Sequence, residues 1–119
     1  MYEMSNIQNF KDFTVWKDSS RIAVDVYKLC EKLPDSEKYG ISSQMQRSAV
    51  SVPSNIAEGY RRNGKVEFKR FINISLGSAA ELETQLYICS EVYGTNVSEL
   101  IQRVIVIQKQ LLALQNTLK

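Results

Sequence analysis

The chain has 119 residues, no histidine and a formal net charge of +2. Apolar residues make up 44% and charged residues 24%, the balance of a globular protein with one core, which excludes the disordered and fibrous classes. The longest apolar runs span only a few residues, which excludes a bilayer-spanning helix. The acidic, aromatic beginning of the chain lacks the pattern of a secretory signal. We therefore expect a cytoplasmic protein.

The residue types of the commonest catalytic and metal sites are missing or isolated. Without histidine the chain lacks the usual general base for neutral pH. Cys30 and Cys89 stand alone, outside any CxxC spacing, so the usual zinc patterns are missing. We expect both to be buried reduced thiols, with a disulfide as the lesser alternative. The sequence predicts no metal, no cofactor and no enzymatic activity.

Four segments place apolar residues at the alternating steps of three and four that are typical of a helix packed on one face. The connections between them are short, which favours antiparallel neighbours. The sequence therefore predicts one all-α domain over residues 1–119, an antiparallel up-down-up-down four-helix bundle. The predicted helices cover about 14–33, 41–62, 65–93 and 97–118.

The boundaries of these helices rest on residues that interrupt a helix. Pro34 ends the first helix, Asn63-Gly64 separates the second from the third, and Gly94 ends the third, because these positions tolerate positive φ or exclude helical backbone. Residues 1–13 are predicted to form a lead-in. Its apolar side chains, which we expect to fold back on the bundle, are Ile7, Phe10 and Phe13.

The second helix contains the stretch SVPSNIAEGYRR (51–62), whose third residue is Pro53. Proline lacks the backbone N–H and clashes with the carbonyl four residues earlier, here Ala49, so we expect the helix to bend unless other groups compensate. Serine and asparagine side chains spaced three or four residues apart share a face of this helix and can hydrogen-bond to the backbone near the bend. The small residues Ala57 and Gly59 allow another helix to approach.

The candidate partner lies in the third helix, where residues 77–80 are all small. We expect the two small, polar segments to face each other, inside one chain or across subunits, around a buried structural network. An alternative interpretation uses Glu58 and Glu81 as a carboxylate pair for acid–base or metal chemistry, but no histidine, aspartate or phosphate-binding loop accompanies them. The residues of the predicted network are Asn55, Glu58, Ser78 and Glu81.

The fourth helix carries apolar residues on nearly two faces, and Trp16 and Tyr27 broaden the apolar stripe of the first. Surplus apolar surface of this kind often marks an interface. Two interpretations remain open: the fourth helix contacts two neighbours within the chain, or the chain associates with itself.

Positive charge is concentrated in residues 61–70, which hold five bases against Glu67, whereas residues 81–99 hold four acids and no base. In an up-down bundle these bases lie at the same end as the start of the first helix and the end of the fourth, where we also expect Lys11, Lys17, Lys109 and Lys119. Such a cluster can hold phosphates. The predicted nucleic-acid-binding residues are Arg61, Arg62, Lys65, Lys69 and Arg70.

The net charge alone is too small to predict a nucleic-acid partner, and a solvated surface remains the alternative for the basic residues. Tyr60, Phe68 and Phe71 lie near them in the sequence, and an exposed aromatic ring can stack on a base. Because Phe68 and Phe71 fall on the apolar stripe, we expect these rings to belong to the core.

Two blocks, QMQRSAVSVPSNIAEGYRR (44–62) and KVEFKRFINISLGSAAELETQLYIC (65–89), resemble the small bacterial four-helix-bundle proteins encoded in 23S ribosomal RNA intervening sequences. The same family includes the accessory protein of diversity-generating retroelements. The resemblance covers about Phe10–Gly94, and PSNIAEG and GSAAELET are specific to it. It implies a non-enzymatic homo-oligomer, a barrel-like pentamer, with RNA or DNA as partner. The short apolar runs separately predict no membrane partner.

Two functional hypotheses follow. The first is a nucleic-acid-binding accessory protein that assembles through its apolar faces. The alternative is a structural or protein-interaction module that docks a partner such as a reverse transcriptase through its basic end.

Overall fold

The computed structural model describes residues 6–118. Within this range the chain forms four α-helices and no strand. Short 3-10 helices at Phe10–Asp12 and Asp35–Glu37 precede the first and second of them. The helices are α1 (Thr14–Cys30), α2 (Ile41–Arg61), α3 (Lys65–Tyr93) and α4 (Ser98–Thr117).

Neighbouring helices run antiparallel, because side chains late in one helix meet side chains early in the next. Ser51 on α2 contacts Ser78 on α3, and Gly59, later in α2, packs against Phe71, earlier in α3. Each helix packs on two others, including α1 on α4, in a body of 45 × 23 × 19 Å. The predicted four-helix bundle is confirmed. The same opposed order holds for Asp18 with Gln110 and Asp25 with Arg103 between α1 and α4, and for Asn73 with Gln115 and Glu83 with Gln108 between α3 and α4.

The core runs the length of the bundle and draws on all four helices. Burying one Leu, Ile or Phe side chain stabilises the fold by about 1.5–3 kcal/mol, so these residues are the main source of stability. The largest fully buried side chains include Phe13, Met45, Ile56, Ile72, Leu82, Leu86, Leu111 and Leu114.

The first helix ends earlier than the sequence pattern indicates. The apolar stripe continues to Leu33, but α1 ends at Cys30. Beyond Cys30 the backbone hydrogen bonds join residues three positions apart, from Leu33 N–H to the Cys30 carbonyl and from Lys32 N–H to the Leu29 carbonyl. The physical reason is Pro34, which disfavours helical backbone at the residue before it.

The lead-in folds back on the bundle, as predicted for its described part. Phe13 is fully buried and Ile7 packs on the core. Asn9 and Asp12 form a capping box, in which the Asn9 side chain accepts a hydrogen bond from the Lys11 backbone and Asp12 accepts one from Asn9. Residues 1–5 lie outside the described residues.

Helix α2 continues through Pro53 from Ile41 to Arg61. Two carbonyls beside the proline receive side-chain donors: Ser75 Oγ donates to the Val52 carbonyl and Asn55 Nδ2 to the Ser51 carbonyl, both at 2.8 Å. Ser75 is fully buried, so its hydroxyl needs such an acceptor. The Ser75 bond ties α3 to α2 where the proline weakens the helix, and the Asn55 bond adds a side-chain contact within α2.

Glycines in α2 and α3 occupy opposite environments. A Cβ on Gly59 would lie 2.6 Å from Cβ of Phe71 and 3.1 Å from Cδ1 of Phe68, whereas a Cβ on Gly77 would meet nothing within 4 Å. Gly59 therefore allows α2 and α3 to approach closely. The expectation that Gly77 packs against α2 is wrong, because this glycine lies on the outer side of α3.

Candidate nucleic-acid interface

The turn between α2 and α3 brings the five predicted binding residues to one end of the bundle. Asn63 has φ 61° and Gly64 has φ 150°, which asparagine and glycine tolerate best. The chain thereby reverses within three residues, between the last turn of α2 and the first turns of α3. We define the basic pole as Arg61, Arg62, Lys65, Lys69 and Arg70.

Four of these side chains are exposed and Lys69 is half-buried. Arg61, Lys65 and Lys69 make no ion pair within the part of the chain that the structure describes. Three cations are therefore available to an external anion.

The lead-in contributes aromatic surface beside the basic pole. The guanidinium carbon of Arg61 lies 5.7 Å from the centre of the Phe10 ring, a cation–π distance. Phe10 in turn meets Trp16 edge-on at 5.4 Å between ring centres, and both rings are half-buried. From sequence, Phe10 is predicted to fold back on the bundle and Trp16 to broaden an apolar stripe, so the pattern assigns neither ring to the site.

Of the four lysines expected near the arginines, two lie at this end. Lys11 is in the lead-in and Lys17 in the first turn of α1, and both are exposed. The expectation for Lys109 is wrong, because this residue lies eight residues, or about 12 Å, before the end of α4. Lys119 lies outside the described residues.

The two remaining arginines of the basic pole are paired with carboxylates of their own helices. Arg62 Nη2 contacts Glu58 Oε2 at 2.7 Å, and Arg70 Nε contacts Glu67 Oε2 at 3.0 Å, with all four side chains substantially exposed. The hydrogen bond from Arg70 lowers the pKa of Glu67 and raises the pKa of Arg70. Both guanidinium groups also lie over the ring of Phe71, at 5.2 Å and 4.6 Å from its centre.

The aromatic residues between the basic side chains belong to the core. Phe68 and Phe71 are 6% and 7% exposed, and Tyr60 is half-buried. Phe13, Tyr60 and Phe68 pack with 5.5–5.9 Å between ring centres. The faces of Phe68 and Phe71 are therefore not open to an incoming base.

The predicted polar network is present in part. Ser51 and Ser78 hydroxyls lie 2.8 Å apart, and Asn55 Nδ2 donates to Ser51 Oγ at 2.9 Å. Asn55 and Ser78 are thus joined through Ser51. The inclusion of Glu58 and Glu81 is wrong: both are exposed, because their positions on α2 and α3 turn outward from the seam between these helices.

Glu58 and Glu81 also do not form a carboxylate pair. Glu58 adjoins Gly59, which packs against Phe71, so Glu81 lies ten residues farther along α3, or about 15 Å along its axis. This distance exceeds what two carboxylates sharing one reacting group allow. Among the described residues no cluster of three or more Cys, Asp or Glu side chains is arranged to hold a metal ion.

Both cysteines are free thiols. Cys89 is fully buried, whereas Cys30 is only half-buried and donates to the Ser42 carbonyl. Burial raises the pKa of both thiols, which disfavours the nucleophilic thiolate.

Both interpretations of the surplus apolar surface find a counterpart in the structure. Four apolar residues of α4 are buried in the core and Leu100 and Ile101 pack against it partly buried, as expected of a helix with two neighbours in one chain. Val106 and Leu112 nevertheless remain 49% exposed. Further exposed apolar side chains are Val24, Tyr27, Ile88 and Val92.

The chain is similar in fold to a solved structure, a protein of unknown function from the S23 ribosomal protein family of Bacteroides thetaiotaomicron. The TM-score is 0.79 at 24% sequence identity, over 86% of this chain and 95% of that one. A search of curated proteins finds no match. None of the described helices combines the length and the apolar character that crossing a bilayer requires.

A family model agrees with most of the chain. The model of the 23S rRNA-intervening sequence protein matches residues 11–113, a range that takes in α1, α2, α3, the basic pole and most of α4. The chain belongs to the family of 23S rRNA-intervening sequence proteins.

Proposed function

We propose that this chain is a non-enzymatic, homo-oligomeric accessory protein of the bacterial cytoplasm that binds RNA or DNA through the basic pole. The observation that carries the proposal is the convergence of five bases from two helices on one end of the bundle. Stability alone does not favour the three bases in the first turns of α3, which oppose its helix dipole, although Arg61 and Arg62 suit the end of α2. A ligand with negative charge supplies a reason for these three bases.

The chemistry of the basic pole suits phosphate rather than base edges. Arg61, Lys65 and Lys69 have no carboxylate partner among the described residues, so each can replace a counterion on a phosphate backbone. Three such contacts give a slope of about −2 for log K against log salt on a single strand. Binding of this kind is independent of sequence and weakens steeply as salt rises.

Self-association would bring the positive charge of several basic poles into one particle. Exposed apolar side chains on α3 and α4 and the open outer side of Gly77 support a surface that another subunit covers, and the family resemblance implies five subunits. Light scattering should then give five times 13.6 kDa, or about 68 kDa. A monomer mass at micromolar concentration would overturn the oligomeric part of the proposal.

Charge reversal tests the binding part. The triple variant Arg61→Glu, Arg62→Glu, Lys65→Glu should keep its helical circular dichroism but lose binding to single-stranded RNA and DNA in a low-salt shift assay. The matched control reverses three exposed lysines at the opposite end, Lys28, Lys32 and Lys38, and should bind nearly as wild type does. Absence of wild-type binding at low salt would overturn the proposal.

The same variants distinguish a protein partner. If the basic pole binds an acidic surface of a protein partner, for example a reverse transcriptase, that partner is retained by wild type from nuclease-treated extract and lost by the triple variant. That result, without direct RNA or DNA binding, would replace nucleic acid by a protein as the partner.

A further inference from the structure

The basic pole contains two kinds of cation. Arg61, Lys65 and Lys69 have no ion-pair partner among the described residues, whereas Arg62 and Arg70 each engage a carboxylate one helical turn away. The two paired arginines come from different helices yet lie over the same ring, that of Phe71. We define the guarded pair as Arg62 and Arg70.

We propose that Glu58 and Glu67 are built-in competitors of the phosphate backbone, which the guarded pair exchanges for phosphate when nucleic acid binds. The inference rests on the proposed function and specifies how the same site is regulated. A guanidinium fork donates to carboxylate and phosphate in the same two-point geometry. Arg70 makes such a two-point contact with Glu67, whereas Arg62 donates to Glu58 through Nη2 alone. Phosphate can therefore replace either carboxylate without rearrangement of the arginine.

The exchange needs arginines that stay in place when the carboxylates leave. Phe71 is 7% exposed and therefore fixed in the seam between α2 and α3, and its ring holds both guanidinium groups independently of the glutamates. The ion pairs are exposed, with side-chain accessibilities of 41–56%, and exposed pairs of this kind are weak. Phosphate can therefore displace them.

Competition of this kind lowers affinity and the net number of counterions released, because each displaced carboxylate takes up a cation of its own. With both carboxylates in place, the guarded pair contributes less to the affinity for nucleic acid than its charge suggests. Removing the carboxylates frees two arginines, which should steepen the salt dependence by about 1.4 in log–log slope on a single strand.

The test measures anisotropy of a fluorescein-labelled oligouridine of about 20 nucleotides across a salt series. The variant is Glu58→Gln with Glu67→Gln. The matched control is Glu81→Gln with Glu91→Gln, which changes the net charge equally at two exposed glutamates of α3 that form no ion pair within residues 6–118. We expect about tenfold tighter binding and the steeper slope for the variant, against about twofold tighter binding and an unchanged slope for the control.

Three outcomes decide the inference. If wild type binds and the variant matches the control, the inference is overturned while the proposed function stands. If no protein binds at low salt, both are overturned. If the variant binds where wild type does not, the carboxylates block the site outright, which supports the inference.

A second variant checks that the gain in affinity depends on the two arginines. Adding Arg62→Gln and Arg70→Gln to the glutamate variant should abolish both the gain in affinity and the gain in slope. A gain that persists without the two arginines would overturn the inference, since it would then reflect general charge alone. Circular dichroism confirms that each variant is folded, which is expected because all four side chains are exposed.

Discussion

The seam between α2 and α3 and the seam between α1 and α4 are built by different means. Along the first, Gly59 lets the two backbones approach and the buried Ser75 hydroxyl bonds across to the α2 backbone. Along the second, a groove of about 390 Å³ separates the helices, and the charged residues Asp25 and Arg103 meet near its edge. Small residues therefore join one pair of helices tightly, whereas long charged side chains bridge the other.

This difference bears on function because the α2–α3 seam carries the basic pole. The bases of α2 and α3 keep a fixed spacing only if the two helices do, and Phe71 lies at the point where Gly59 brings them together. The α1–α4 seam carries no residue of the basic pole. We therefore expect changes in the first seam to affect stability and binding together, and changes in the second to affect neither strongly.

The largest effect is expected from Gly59→Ala. The added Cβ would lie 2.6 Å from Cβ of Phe71, and because that atom is fixed to the backbone, the helices must separate. Overpacking of this kind lowers the free energy of unfolding by about 1–3 kcal/mol. Urea denaturation at fixed protein concentration measures it.

Gly77→Ala is the matched control for that substitution. It places the same methyl group in α3 where nothing lies within 4 Å, and alanine is favoured over glycine in a helix by about 1 kcal/mol. The two substitutions should therefore change stability in opposite directions. A stabilising effect at Gly59 would contradict the close approach of α2 and α3.

A smaller effect is expected from Ser75→Ala. The substitution removes the buried hydrogen bond to the Val52 carbonyl, which lowers the free energy of unfolding by about 1 kcal/mol. Substitutions of Thr84 provide the control, because its hydroxyl bonds to the Ala80 carbonyl of its own helix on the exposed side. Thermal unfolding compares Thr84→Ala, which removes that hydroxyl, and Thr84→Ser, which keeps it, with Ser75→Ala. Equal losses at Ser75 and Thr84 would argue against a special role for the α2–α3 seam.

The smallest effect is expected in the other seam. Replacing Asp25 by Asn and Arg103 by Gln together removes an ion pair whose side chains are about 30% exposed. Such pairs contribute roughly 0.2–1 kcal/mol, so urea denaturation should show a change near the lower limit of detection. A loss larger than that of Gly59→Ala would reverse the comparison between the two seams.

The fold could be predicted from sequence because it depends on periodicity and on strong breakers. The apolar steps place Met45, Ile72 and Leu111 in one core, and Asn63-Gly64 and Gly94 adopt the positive φ that separates the helices. The end of α1 was overestimated because an apolar stripe does not distinguish a helix from the tighter turns that follow Cys30. Helical periodicity predicts which residues share a face. It does not predict the backbone conformation before a proline, which local steric clashes determine.

The site could be predicted only in part. The clustering of charge in residues 61–70 follows from the chain order alone, but the depth of each side chain does not. Glu81 shares a helical spacing with Ser78 and is nevertheless exposed, and Gly77, small like Ala79, faces outward. The ion pair of Glu58 with Arg62 could have been found from its spacing of four residues, which is typical of such pairs.

We propose that nucleic acid contacts the molecule at the basic pole, held by the α2–α3 seam. Photo-crosslinking of wild-type protein to a thiouridine-substituted RNA at low salt, followed by mass spectrometry of the peptides, locates the contact directly. We predict crosslinks within residues 61–70 and at the neighbouring aromatic residues Phe10 and Trp16. Crosslinks confined to residues 28–38, at the opposite end of the bundle, would contradict it.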